Sequence, residues 1–197
     1  MKWTYRYLPI ILIVVAAGCD QATGDGQLSG SLFIPDCVDG SSRDFTCEAT
    51  VSSRECRAFD LDADFFALQT YPDNSAKLRM QRGGADFALA DGIVFQIDDT
   101  RRLRGRLSES IPVGQNENVR AGLGLFARCP GSIQNFEITG SIVFEAFGLN
   151  KGDRIKGVIE TLEIRDGRGE NGNVLGQLHG DFDFNVQTGP PYQRFQE

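Results

Sequence analysis

The chain is poor in the side chains that most often do chemistry or stack on ligands. It holds one histidine, His179, and one tryptophan, Trp3, among 197 residues. A single histidine cannot build a multi-histidine zinc site. Neither G-x-S-x-G nor S-x-x-K occurs to supply an activated serine. Trp3 stands in the first seven residues, so downstream of the leader only Tyr71 and Tyr192 accompany the phenylalanines. That disfavours sites that stack sugars or bases on Trp and Tyr. No apolar run approaches the roughly 20 residues that span a bilayer. Basic residues are the minority, 20 against 27 acidic, which argues against nucleic acid and against electrostatic docking on anionic lipid. A 3.6-residue apolar period is also missing, so helices should be few.

What is present begins at the amino end. "MKWTYRY" carries Lys2 and Arg6 and no acid, and "LPIILIVVAA" follows without a charge. A basic segment before a short apolar one predicts a secretory signal. Ala16, Ala17 and Gly18 then lead directly into Cys19. "VVAAGCD" resembles the lipobox of bacterial lipoproteins, with Ala16 where leucine is commoner. The resemblance implies cleavage after Gly18 and a diacylglyceryl group on the Cys19 thiol, and no other cofactor is expected. It divides the chain into a leader (1–18), a polar tether (19–26) and one domain (27–197). "DQATGDG" would reach about 25 Å at full extension. Losing Lys2 and Arg6 lowers the 20 basic residues to 18 against 27 acidic, so attachment must come from the acyl chains, of which two or three anchor stably. The implied location is the bacterial envelope, outside the cytoplasm, and the implied partner is the membrane. An envelope protein or a small ligand is the second partner expected. Under the enterobacterial sorting rule Asp20 implies the inner membrane; other bacteria sort differently.

Cys37, Cys47, Cys56 and Cys129 remain as an even set. In an exported chain they predict two disulfides, with three connectivities open. Their gaps are too long for paired zinc knuckles.

From Gln27 onward the pattern has period two. "FDLDADF" alternates from Phe59 to Phe65, and "GIVFQI", "FEITGSIVF", "VIETLEI" and "LHGDFDF" repeat the figure. Turn chemistry separates these runs at "YPDNS", "DDT", "GLNKGD" and "RDGRGENGN". The expected fold is all-β: a single antiparallel β-sandwich or barrel-like domain of jelly-roll type. An apolar-x-Gly-x-apolar figure recurs as "LSGSL", "LRGRL", "ITGSI", "IKGVI" and "LHGDF". Glycine repeated in this way points to packing or strand curvature rather than to a ligand. "GQLSGSLFI" and "GQLHGDFDF" match closely enough to suggest equivalent or paired strands.

Three groups could carry chemistry. Asp60, Asp62 and Asp64 share a face as a solvated stripe or the start of a calcium site. The EF-hand positions for Gly and Glu, however, hold Phe65 and Tyr71. Arg102, Arg104 and Arg106 in "RRLRGRL" would share one face of a strand, as an anion grip or as a ladder against the aspartates. Lys77, Arg79 and Arg82 compete for those aspartates. His179 reads as a solvent-facing strand residue. No catalytic or metal-ligating set emerges. Beyond the leader, the chain resembles bacterial lipoproteins of unknown function. It reads as a non-enzymatic binding or envelope-structural module. The alternatives are a domain holding a small apolar or anionic ligand, and, less favoured, a carboxylate-based hydrolase.

Overall fold

The computed structural model describes residues 24–34, 57–83, 89–129, 134–168 and 172–186. Among the described residues ten strands and one short helix follow one another. They are β1 (Gly24–Leu32), β2 (Arg57–Asp62), β3 (Phe65–Thr70), β4 (Ala76–Arg82), β5 (Asp91–Ile97) and α1 (Thr100–Arg104). There follow β6 (Ser110–Val113), β7 (Val119–Leu125), β8 (Phe136–Phe147), β9 (Arg154–Asp166) and β10 (Val174–Asn185). All ten strands belong to one sheet in the order β2-β1-β10-β9-β8-β6-β7-β5-β4-β3. The fold is all-β, as the period-two pattern implies. Every pairing is antiparallel except β6 with β7, which meet only at Val113 and Val119.

The sheet curls on itself. Its terminal strands, β2 and β3, are consecutive in the chain and separated only by Ala63 and Asp64. "FDLDADF" is therefore not one strand. At this corner Ala63 N–H donates to Gly26 O at 2.8 Å and Asp64 N–H to Gln81 O at 3.0 Å. The segment thus leaves β1 and joins β4. Facing strands then press their rings together: Phe66 of β3 stacks on Phe184 of β10 at 4.9 Å. Phe182 meets Phe95 at 6.4 Å and Phe144 at 5.8 Å. Each such side chain, fully buried, contributes about 1.5–3 kcal/mol relative to exposure.

Four copies of the glycine figure lie in β1, β10, β9 and β8, which are neighbours in the sheet. Their glycines face large partners: Gly30 opposes Leu178, Gly180 opposes Leu28, Gly157 opposes Phe182 and Gly140 opposes Leu162. A Cβ on Gly157 would stand 2.6 Å from the Phe182 ring. Gly30 and Gly140 have φ near +150°, and a side chain there would run into the carbonyls of Gln177 and Thr161. The two matched segments pair directly, centred on Ser29 opposite His179. The register shifts beside Ile159 on both flanks of β9. Glu160 and Thr161 both face outward there, and Ile159 and Leu162 both face inward. Such a bulge bends and twists the strand.

"LRGRL" departs from the expectation. It forms α1 and the turn after it instead of a strand. Asp99 caps the helix, its carboxylate accepting from Arg101 N–H at 2.9 Å and Arg102 N–H at 3.4 Å. Asn118 fixes that cap by donating to Asp99 O at 3.1 Å. Only Thr100 and Leu103 are buried. β1 also begins at Gly24, so residues 24–26, expected within a polar tether, are strand.

Candidate functional site

With the interior occupied, the chemistry-bearing side chains lie on the outside of the curl. β6 divides it into two faces.

The first face belongs to β2, β1, β10, β9 and β8. Asp60 opposes Ser29, and Ser29 opposes His179. Ser29 Oγ lies 3.3 Å from His179 Nε2. The register sets His179 beside the bulge at Glu160 and Thr161. Glu160 is spent on hydroxyls: Ser110 donates to it, and so does Ser141. The two bonds, Ser110's first, hold its carboxyl below the ordinary carboxylate range. Arg154 pairs with Asp183, whose carboxyl is lowered chiefly by that hydrogen bond, and Lys156 pairs with Glu145. A hydrolytic triad needs an acid behind the imidazole and oxyanion donors in a dry pocket. His179 is exposed on an open strand face, so its bond to Ser29 is a cross-strand contact. Ser29 escaped the sequence reading, although the matched segments contained its signal. Two near-identical strands pairing antiparallel about their centres bring equivalent positions together, and Ser29 and His179 are equivalent.

The second face belongs to β7, β5, β4 and β3. One row crosses it through Gln69, Lys77, Gln96 and Arg120. The next holds Ala67, Arg79, Val94 and Gly122, and the third Phe65, Gln81, Gly92 and Gly124. Alternation turns these side chains, Phe65 among them, away from the ring-packed interior, yet Arg79 is 1% exposed and Gln81 0%. Arg120 donates to Asp98 at 2.6 Å. Gln69 Oε1 and Arg120 Nε are buried without a hydrogen-bond partner. Lys77 lies 5.9 Å from the centre of the Tyr71 ring.

A third feature ties the halves together. Arg128 approaches the buried Asp91 at 3.3 Å and donates to Asp60 O at 2.8 Å. It also stands 4.9 Å from the Phe59 ring centre. Asp91 in turn accepts from the backbone N–H groups of Ala127 and Arg128.

The sequence-predicted groups fare unequally. Asp60 and Asp62 are exposed on β2, opposite Ser29 and Gln27 rather than opposite arginines. Asp64 lies past the corner, its carboxylate accepting from Gly83 N–H at 3.1 Å. Among the described residues no group of three His, Cys, Asp or Glu could hold a metal ion. Arg102, Arg104 and Arg106 do not share a strand face. α1 turns Arg102 and Arg104 about 200° apart, and Arg106 leaves the helix to bind Glu109 at 2.9 Å. No ladder joins them to the aspartates. Cys129 is buried and disulfide-bonded, while Cys19, Cys37, Cys47 and Cys56 lie outside the described residues. No helix among the described residues is long and apolar enough to cross a membrane.

No protein-family model, curated protein or solved structure matches the chain.

Proposed function

We propose that the protein is a non-enzymatic binding module of the bacterial envelope, held by an acylated Cys19 and working through the outside of its sheet. The observation that carries the surface reading is the filled interior. Phe66, Phe95, Phe144, Phe182 and Phe184 occupy the space between facing strands where an apolar ligand would sit. The row Gln69–Lys77–Gln96–Arg120 is the favoured surface. Its amides and cations suit a carboxylate or phosphate group on a partner. Its buried Arg120 Nε is a donor of the kind that an anionic ligand satisfies, and its buried acceptor Gln69 Oε1 of the kind that a water satisfies.

The test is crosslinking of the anchored protein in its own envelope, followed by capture. Lys77→Gln with Arg120→Gln should abolish the crosslinked partner, and Asp60→Asn with Asp62→Asn should keep it. Capture that survives the first pair would overturn the surface assignment. Capture undiminished in Cys19→Ala would overturn the role of anchoring.

A further inference from the structure

Strand ends and one exposed leucine meet at a single corner of the molecule. β1 begins there at Gly24, and Gly26 O accepts from Ala63 N–H at 2.8 Å. Asp64 follows, its carboxylate bound to Gly83 N–H at 3.1 Å. A Cβ on Gly83 would stand 3.5 Å from Leu89 O. The start of β1, the Ala63–Asp64 turn, Gly83 and Leu89 therefore lie together at one end of the sheet. Leu89 is 69% exposed, against 39% for Val158 and 37% for Leu107. Arg82, also exposed, ends β4 beside it.

Single exposed leucines are ordinary on protein surfaces, and position is what distinguishes this one. Five steps of chain from Cys19 to Gly24 reach at most about 18 Å. The 13 residues of β9 alone extend about 40 Å. An anchor at Cys19 thus brings this corner to the bilayer and leaves the turn at Tyr71–Ser75, at the other end of β3 and β4, outward.

We propose that this corner is the membrane-facing surface of the domain, with Leu89 inserted at the headgroup–acyl boundary and Arg82 at the level of the phosphates. Interfacial insertion of apolar side chains to about 5–10 Å is the usual depth, and arginine reaches polar headgroups while its stem stays apolar. Asp25, Asp62 and Asp64 are exposed around the same corner. Attraction to anionic lipid therefore does not drive the contact; the tether and the leucine do.

The inference rests on the anchoring reading, and the two can fail separately. A chain without its leader has no tryptophan, since Trp3 is the sole one, so Leu89→Trp is a clean reporter and Tyr71→Trp is the control at the opposite end. The lipidated protein is reconstituted in phosphatidylcholine vesicles containing brominated phosphatidylcholine. Trp at 89 should shift to the blue and lose most of its emission, and Trp at 71 should do neither. Equal emission at both positions would overturn the corner. Mass spectrometry of the Cys19 peptide reads the anchor in the same preparation. If that peptide carries no acyl chains, the anchoring reading fails. The corner is then read from the leaderless chain held by an N-terminal His-tag on a chelator lipid, where an unquenched Trp at 89 overturns it.

Discussion

In the β1 half of the sheet, outward side chains such as Asp60, His179 and Glu160 are exposed, whereas in the β4 half Arg79 and Gln81 point outward and are buried. The glycines are reversed in the same way. Gly30, Gly140, Gly157 and Gly180 lie on the inner face of the β1 half, and Gly92, Gly122 and Gly124 lie on the outer face of the β4 half. Inward glycines make room for rings that must pack across a curled sheet, and the bulge at Glu160 supplies bend there. Outward glycines lower the surface of the β4 half around its long polar side chains. One alternating pattern has therefore given an acidic, solvated face and a cationic, amide-lined one.

The comparison breaks most completely if the contact between the halves is removed. Phe182 touches Phe95 across the curl and Phe144 and Phe184 beside it. Phe182→Ala should cost about 3–5 kcal/mol, read as a lowered urea midpoint. The buried polar layer is tested next. Arg79→Ala should destabilise by about 2 kcal/mol or more, because its neighbours lose a buried charge and its packing. Arg154→Ala, on the exposed face, should fall within the scatter of surface substitutions. Equal effects would erase the distinction between the faces.

Glycine to alanine sharpens it further. Gly140→Ala sets a Cβ against Thr161 O at positive φ and should cost about 1–3 kcal/mol. Gly122 has nothing within 4 Å of a Cβ, so Gly122→Ala should be neutral or stabilise by up to about 1 kcal/mol. The smallest effect is pH dependence. Asp73, Asp99, Asp153, Glu160 and Asp183 all titrate below the reference values of 3.8 for Asp and 4.5 for Glu. The leading causes are hydrogen bonds, from Ser75, Arg101, Asn150, Ser110 and Arg154 respectively. Depressed native values stabilise above the unfolded pKa and lose that contribution as pH falls through the native one. The urea midpoint should therefore hold from pH 7 to about 5 and decline below about 4.5. Glu160→Gln should shallow the decline. A midpoint that rises in acid would contradict all five hydrogen bonds.

The strands that were legible in the sequence are those whose period-two pattern is long: β8, β9 and β10, and the β3–β4 hairpin around "YPDNS". "RRLRGRL" misled because it has only two leucines. A capping Asp99 outweighs so short an alternation once Asn118 is there to hold it. "FDLDADF" misled because its alternation runs on through a corner where the faces exchange: Phe59 and Leu61 face inward on β2, but beyond Ala63–Asp64 Phe65 shares the outer row with Gln81 and Phe66 takes the inner place. Neither Arg79 nor the link from Arg128 to Asp91 was legible, since burial on an outward face depends on what lies over it.

Chain chemistry by itself determined the all-β class, the inward positions of most of the phenylalanines and the glycine figure. These follow from local sterics and from the two-residue period of an extended backbone. Tertiary structure alone decided that the sheet curls at Ala63–Asp64, that Ser29 meets His179, and that Arg79 and Gln81 are buried on one outer face while Asp60, His179 and Glu160 stay wet on the other. Each of those depends on which distant strands become neighbours. A side-chain period of two fixes the face of a residue but carries no information about the strand across from it.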